Sequence, residues 1–170
     1  MSTTTDRYIE LITEVKDTVY RLALNLLADR SEAEDVAQDV YERVWRTRDE
    51  VLSRSYPRAY ICRMTRNLAI DRLRQRRDTA ISETRGMSSG DGNSIIEIND
   101  MVALTQQYIA ELPERQRITI YMRDVEGYSF EEIAETMESD PTTVRMNLSR
   151  ARKTIRDRVL KAMNYGTRQD

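Results

Sequence analysis

Apolar residues recur at every third or fourth position in the first part of the chain, which is the spacing of one face of an α-helix. A first helix is predicted over residues 6–27, with the apolar face Tyr8, Leu11, Ile12, Val15, Val19, Leu22 and Leu26. A second helix is predicted from Ser31, because Ser31 and Glu34 have the spacing of a capping box. Its apolar face is Ala33, Val36, Ala37, Val40, Val44 and Trp45. Residues 47–57 are predicted to form a loop, and Pro57 suits the first turn of a third helix that ends near residue 77.

The helical pattern is lost between residues 78 and 100, where Gly, Ser, Asp and Thr are frequent. This composition is typical of a flexible connector. Helical spacing resumes near residue 101, with breaks at Pro113 and Gly127. The sequence therefore predicts a first domain over residues 1–77, a linker over 78–100 and a second domain over 101–170.

The second domain ends in two consecutive helix signals. Ser129 and Glu132 have the spacing of a capping box before a short apolar stripe, and Asp140 is placed to cap a longer helix that begins at Pro141. Two helices joined by a short turn form a helix-turn-helix, whose second helix enters the major groove of DNA. The outward positions of that helix carry Arg, Lys, Thr and Ser, which suit phosphates and base edges. A helical hairpin with a solvated basic face is the alternative interpretation.

The chain has 170 residues, of which only five are Gly and three are Pro, and 39% are hydrophobic. Few helix breakers and a modest supply of apolar residues favour helices in small units over one large core. The predicted fold is all-α, with two small helical domains joined by a flexible acidic linker.

Charge is unevenly distributed along the chain. The formal net charge is only −2, which taken alone argues against a nucleic-acid partner. However, residues 58–77 contain seven Arg and one Asp, and residues 141–161 contain seven Arg or Lys and one Asp. Residues 78–112 contain one Arg and six acidic residues. Two basic helices in an acidic protein indicate two separate surfaces for phosphates.

Several classes of site are excluded by the residue types present. Cys62 is the one cysteine and there is no His, so an intramolecular disulfide and a Cys/His metal site are both excluded, and no metal or other cofactor is expected. No catalytic nucleophile with a neighbouring base is evident. No apolar run reaches the ~18 residues of a membrane span and the start is no signal peptide, so we expect a cytoplasmic protein without membrane insertion.

Each predicted domain contains a block of sequence with recognisable motifs. The first block is LLADRSEAEDVAQDVYERVW with YPRAYICRMTRNLAIDRLRQRR, and the second is LPERQRITIYMRDVEGYSFEEIAETM with TVRMNLSRARKTIR. The first block resembles domain 2 and the second resembles domain 4 of one known family, the extracytoplasmic-function (group 4) sigma factors of the sigma-70 superfamily. Both blocks in this order, separated by a polar linker, make the resemblance specific.

The resemblance implies roles for residues of the first domain. In the family, the acidic face of the second helix docks on the β′ clamp helices of RNA polymerase. This implies a polymerase set of Asp35, Gln38, Asp39, Tyr41, Glu42 and Trp45. The third helix reads and melts the −10-like promoter element, which implies a −10 set of Arg58, Tyr60, Arg63, Arg66, Asn67 and Arg74. Two simpler interpretations stay open: the acidic face is an ordinary solvated surface, and Tyr60 is a core residue.

The resemblance also implies roles for the second domain and its partners. Domain 4 binds the −35-like element through its recognition helix and the polymerase β flap through its other face. The implied −35 set is Thr142, Thr143, Arg145, Met146, Ser149, Arg150, Arg152 and Lys153. The expected partners are core RNA polymerase, promoter DNA and an anti-sigma factor, and we expect a free monomer with loosely arranged domains. Glu138 stands where many family members have a turn glycine, so strain is expected there if its φ is positive.

The resemblance implies a sigma factor that directs promoter recognition, promoter melting and transcription initiation without covalent catalysis. Three other functions are the alternatives to it. A nucleic-acid-processing enzyme lacks a catalytic constellation in this sequence. A conventional helix-turn-helix regulator would bind duplex DNA without polymerase, and dimerisation in solution would favour it. A polymerase-binding protein without DNA contacts would have no need of the two basic helices.

Overall fold

The computed structural model describes residues 3–82 and 98–166 and contains helices but no strand in those ranges. The first group of helices is α1 (Thr4–Leu27), α2 (Arg30–Arg46), α3 (Arg48–Ser53) and α4 (Pro57–Ser82). The second group is α5 (Ile98–Ala110), α6 (Glu114–Ile120), a π-helical turn (Tyr121–Val125), α7 (Phe130–Met137) and α8 (Pro141–Gly166). We call these groups the first and second modules. The predicted all-α fold is confirmed.

The start of α2 differs from the prediction. The helix begins at Arg30, and Asp29 caps it: its Oδ1 atom accepts a hydrogen bond from the backbone N–H of Glu32 at 2.9 Å. The predicted capping box of Ser31 and Glu34 is therefore wrong. The chain leaves α1 through Ala28 in the left-handed conformation, with φ of 52°. That turn makes Asp29 the first extended residue, with φ of −139°, and so places its carboxylate over the helix start.

This cap gives a prediction about stability. We expect Asp29→Ala to lower the free energy of unfolding by about 1 kcal/mol, because the N–H of Glu32 loses its acceptor. Ser31→Ala, two residues further on, is the matched control and should change that free energy by less than about 0.5 kcal/mol. Urea titration followed by circular dichroism measures both values. A larger loss for Ser31→Ala than for Asp29→Ala would contradict the assignment.

The first module is held together by one apolar core between α1, α2, α3 and α4. Its largest fully buried side chains are Val15, Val19, Leu22, Val36, Val40, Val44, Val51 and Ile61. Val51 lies in α3, within the stretch predicted to be a loop. Trp45 is 43% exposed and packs edge-on against Tyr8, with 5.0 Å between the ring centroids, so the prediction that it belongs to the buried face is wrong.

The expected linker over residues 78–100 lies largely outside the described residues. At its ends, α4 continues to Ser82, five residues past the predicted end, and α5 already includes Ile98. Within the described ranges, no helix has both the length and the apolar character needed to cross a membrane.

The core of the second module is built from α6, the π-turn, α7 and α8. Its fully buried side chains include Ile118, Met122, Ile133 and Met137. In the π-turn the N–H of Glu126 donates to the carbonyl of Tyr121, five residues earlier, at 3.1 Å. The wider turn rotates the following residues relative to an α-helix. Val125, the last residue of this turn, is 64% exposed.

The two modules pack directly on each other. Tyr128 and Met137 of the second module belong to the same buried cluster as Ile61 and Cys62 of the first. The hydroxyl of Thr136, which is fully buried, donates to the backbone carbonyl of Ala59 at 3.1 Å. A loose arrangement of the domains was expected, and the structure instead joins α7 to α4 through a buried contact.

Candidate functional site

The helix-turn-helix is formed by α7 and α8, and both predicted caps are present. The Ser129 hydroxyl accepts a hydrogen bond from the N–H of Glu132 at 3.1 Å, and the Glu132 carboxylate accepts one from the N–H of Ser129 at 2.9 Å. At the start of α8, the Asp140 carboxylate accepts from the N–H of Thr143 at 2.9 Å. Hydrogen bonds from the backbone and side chain of Thr143 lower the pKa of Asp140. The caps fix where each helix begins and hence which way the outer face of α8 points.

The turn between these helices passes through Glu138 in the left-handed region. Its φ is 50° and its ψ is 50°, and it is the C-cap of α7. A residue with a Cβ atom pays roughly 1 kcal/mol for this conformation, which glycine adopts freely. The sequence identified Glu138 as a position where strain would follow from a positive φ, and the structure has that conformation.

The −35 set lies along the outer face of α8. Its exposed members are Thr142, Arg145, Met146, Ser149, Arg150, Arg152 and Lys153, and Thr143 is half-buried. The helix turns the opposite face inward, where Val144 and Leu148 are buried. The predicted division of α8 into an inner and an outer face is therefore present.

Members of the −35 set differ in how strongly the protein itself holds them. Arg152 donates two hydrogen bonds to Asp124, at 2.6 and 3.1 Å, and these hydrogen bonds raise its pKa. The Thr143 hydroxyl donates to its capping partner Asp140 at 2.7 Å. Arg150 and Lys153 form no ion pair with any residue in the described ranges. These two cations are the ones most available to an incoming phosphate.

The ring of Phe130 contacts two arginines beside the outer face of α8. The guanidinium groups of Arg145 and Arg123 each lie 4.6 Å from the ring centroid of Phe130. Each such cation–π contact contributes roughly 0.5–1 kcal/mol at an exposed position. Sequence reasoning did not select Arg123, because it lies in the π-turn and only the packing of Phe130 brings it near α8. The contact favours one direction of the Arg145 side chain before any ligand binds.

The −10 set lies on α4, and four of its members face carboxylates of the second module. Arg58 lies 2.7 Å from Glu132, and Arg66 lies 2.9 Å from Glu114.

The turn residue Glu138 contacts two more members of the −10 set, Arg63 and Asn67. Its carboxylate lies 3.2 Å from the guanidinium of Arg63 and accepts a hydrogen bond from the side-chain amide of Asn67 at 3.4 Å. Arg63 also lies 3.6 Å from Glu135. Arg58, Arg63 and Arg66 are half-buried as a result.

The two remaining members of the −10 set lie apart from this contact. Tyr60 is half-buried against the first module's core, and the guanidinium of Arg54 lies 3.6 Å from its ring centroid. Arg74 is exposed and pairs with Asp71 on the same helix at 3.8 Å. The structure thus groups Arg58, Arg63, Arg66 and Asn67 on one face and leaves Arg74 further along α4.

The polymerase set lies on α2. Its exposed residues are Asp35, Gln38, Glu42 and Trp45, while Asp39 and Tyr41 are half-buried. Asp39 and Asp35 both face Arg72 of α4, at 3.2 and 3.6 Å, and Glu42 pairs with Arg46 on its own helix. The Tyr41 hydroxyl donates to the carbonyl of Lys16 at 3.0 Å, so it points toward α1. The exposed part of the set is a mixed acidic and aromatic surface.

A polar cluster at the end of the π-turn attaches the second module to α1. The carboxylate of Glu126, which is 8% exposed, accepts hydrogen bonds from Thr18 at 2.8 Å, from Arg21 at 2.9 Å and from Tyr121 at 2.5 Å. Burial raises the pKa of Glu126, but these three hydrogen bonds outweigh burial and hold the pKa below its ordinary value. Glu126 is therefore ionised at neutral pH. Sequence reasoning did not find this cluster, because its members are far apart along the chain.

Cys62 is buried between the modules. Its thiol donates to the Tyr128 hydroxyl at 3.6 Å, and burial raises the pKa of the thiol to about 12. A thiol with this pKa is protonated at neutral pH and is a poor nucleophile. Its role in this structure is packing.

Comparison with known proteins identifies both modules. The family model described as "Sigma-70 region 2" matches residues 11–79, and the one described as "Sigma-70, region 4" matches residues 103–155. The chain is 32% identical over 158 residues to the ECF RNA polymerase sigma factor SigE of Mycolicibacterium smegmatis, covering 89% of this chain and 61% of that relative. It is 26% identical over 165 residues to SigW of Bacillus subtilis, covering 89% of this chain and 88% of that one.

A solved structure has the same fold. The sigma factor RpoE in its complex with the anti-sigma factor NepR from Bartonella quintana superposes with a TM-score of 0.72 at 22% identity. The match covers 91% of this chain and 97% of that one. Two sigma-70 regions in one chain, matched in order and over most of the two modules, place the chain in the sigma-70 family of RNA polymerase sigma factors, within its extracytoplasmic-function group.

Proposed function

We propose that this chain is an RNA polymerase sigma factor that binds core polymerase and directs it to the promoters of a specific set of genes. In this function it recognises and melts promoter DNA and performs no covalent catalysis. The observation that supports the proposal most strongly is the presence of two basic helices. The second helix of the capped helix-turn-helix, α8, has an exposed basic face, and α4 is a second basic helix that packs beside the acidic α2. Residues 1–77, 78–100 and 101–170 then correspond to domain 2, a connector and domain 4.

The second module recognises the −35-like element in this proposal. The exposed arginines, lysine and small hydroxyl residues of the −35 set suit the major groove, where Arg reads guanine edges and Lys contacts phosphate. Arg145 is positioned for base contact by its stacking on Phe130. The opposite side of this module binds the polymerase β flap.

The first module contacts polymerase and the −10-like element. The exposed residues of the polymerase set on α2 dock on the β′ clamp helices, where a mixed acidic and aromatic surface suits a basic partner. The −10 set on α4 supplies cations for a melted strand, and Tyr60 and Asn67 supply a stacking ring and an amide for an unstacked base.

The remaining partners follow from the same function. A sigma factor acts where polymerase is, which places the chain in the cytoplasm, and the free form is a monomer. A structural relative forms a complex with an anti-sigma factor, which supports such a partner for this chain also. The protein needs no metal or cofactor for this role.

Run-off transcription tests the proposed function. Core polymerase from the source organism is mixed with pooled genomic promoter fragments and either the wild-type chain or an Arg63→Ala/Arg66→Ala/Arg145→Ala variant. We expect promoter-specific transcripts with the wild type and a loss of them with the variant, because both DNA surfaces lose cations. Absence of specific transcripts despite binding to core polymerase would favour a polymerase-binding regulator instead. A dimer that binds duplex DNA without polymerase would favour a conventional regulator.

A further inference from the structure

We propose that the second module is an internal inhibitor of the −10 set: carboxylates of α6 and α7 occupy the arginines of α4 that promoter DNA needs. The identity of the blocked ligand rests on the proposed function. The packing of the second module on α4, which we call the closed contact, is independent of that function. We call the four residues Glu114, Glu132, Glu135 and Glu138 the carboxylate face.

The carboxylate face pairs with its arginines in the way that DNA phosphates would. Three arginines of the −10 set, Arg58, Arg63 and Arg66, each have an oxygen of this face between 2.7 and 3.2 Å away. Guanidinium groups bind carboxylate and phosphate oxygens with the same geometry. A phosphate therefore competes for Arg63 and Arg66 with carboxylates of the chain's own second module, and for Arg58 with Glu132 of that module and Glu14 of α1.

Glu138 is the residue that fits this role most specifically. It holds a left-handed conformation that a glycine would adopt without strain, and its side chain contacts both Arg63 and Asn67. Backbone strain of this kind persists where the surrounding structure holds it in place. The contact with two members of the −10 set gives a physical reason for a carboxylate at this turn.

The closed contact has a buried and largely apolar part as well as a charged part. Thr136 and Met137 of α7 are buried against α4, and Tyr128 stacks under the guanidinium of Arg58 at 4.7 Å. The Glu126 cluster holds the other end of the module to Arg21 and Thr18 of α1. Exposed ion pairs contribute little by themselves, so the apolar part holds the modules together and the carboxylate face determines which side chains are covered.

The contact blocks one DNA surface and leaves the other open. Arg145, Arg150 and Lys153 of the −35 set remain exposed in the closed arrangement. The free chain can thus present α8 to duplex DNA while the −10 set is occupied. Binding to polymerase must separate α7 from α4 before a melted strand can bind α4, which couples promoter melting to the assembled complex.

A titration of the free full-length chain with a fluorescein-labelled single-stranded DNA oligonucleotide of mixed sequence tests the proposal. Glu135→Gln/Glu138→Gly removes the two carboxylates that face Arg63, and fluorescence anisotropy should show about tenfold tighter binding than for the wild type. Adding Arg63→Ala to that variant should remove the gain. Glu131→Gln/Asp157→Asn is the matched control, because both residues are exposed and the change in net charge is the same. Its affinity should change by less than about threefold.

A second variant separates the modules by a different route. Thr136→Lys puts a long cation into the buried contact beside the basic α4, so the closed arrangement should be lost while circular dichroism still shows a helical chain. Small-angle X-ray scattering should then report a larger radius of gyration, together with tighter binding of the same oligonucleotide.

The outcomes separate this proposal from the proposed function. Equal gains for Glu135→Gln/Glu138→Gly and for its control, or a gain that survives Arg63→Ala, would overturn the internal inhibitor. So would a helical Thr136→Lys chain that stays compact and binds no better than the wild type. These titrations contain no polymerase, so a failure of the wild-type chain in run-off transcription counts against the proposed function alone.

Discussion

Replacing Arg150 and Lys153 together with alanine is expected to weaken the binding of the polymerase complex to its promoter by about 100-fold, since each good contact with a base edge or phosphate contributes roughly 1–3 kcal/mol. Both side chains are exposed on the outer face of α8 and have no ion-pair partner in the described ranges. They therefore give up no internal contact when they bind DNA, and their removal should leave the folded module intact. Arg152 pairs with Asp124 and would have to give up that ion pair to bind DNA, so its replacement with alanine should weaken promoter binding less.

The measurement is a titration of a labelled promoter duplex, taken from the run-off experiment, with polymerase bearing either chain at several salt concentrations. Loss of two phosphate contacts should also reduce the slope of log affinity against log salt by about two. Arg7→Ala/Lys16→Ala is the control, because these exposed residues of α1 give the same change in charge on a different surface. An equal loss for this control would mean that α8 contributes net charge only and does not lie against the DNA.

Leu22→Ala is expected to lower the free energy of unfolding by about 2–5 kcal/mol, the range for truncating a fully buried leucine. Leu22 has no exposed surface and lies on the inner face of α1, in the core that α2 and α4 complete. Truncation removes apolar contacts and leaves a cavity in a close-packed interior. A loss of this size is a large fraction of the stability of a small domain.

Urea titration followed by the helical circular dichroism signal measures this loss. Ile9→Ala is the matched control on the same helix, since Ile9 is 55% exposed and its truncation should change the free energy by less than about 0.5 kcal/mol. Losses of similar size for the two variants would show that α1 does not bury the face that contains Leu22.

Much of this protein was predictable from local sequence. The helices follow from the 3.6-residue spacing of apolar positions, which places Val15, Val19 and Leu22 on one face of α1. The caps at Ser129 and Asp140 follow from short-range hydrogen bonds, and with them the helix-turn-helix and the outward direction of the −35 set. The roles of the sets came from resemblance to the family, and they remain predictions for these residues.

Other features did not follow from the pattern of the sequence. The short helix α3 forms where tertiary packing buries Val51, and the turn at Tyr121–Val125 is π-helical. Asp29 caps α2 because the preceding residue, Ala28, turns the chain, which composition and spacing do not reveal.

The largest difference concerns the charges on α4. By sequence alone α4 is a basic helix, and the loose arrangement expected for the two domains gives no contact between its arginines and the acidic residues of α7. Packing of Thr136 and Tyr128 against α4 brings these two surfaces within hydrogen-bonding distance. The sequence by itself determined the long helices, the caps at Ser129 and Asp140 and the helix-turn-helix, because those depend on interactions within a few residues. Only the tertiary structure decided that Arg58, Arg63 and Arg66 meet carboxylates of the second module, because ion pairs across about 50 to 75 positions of sequence depend on how the modules pack.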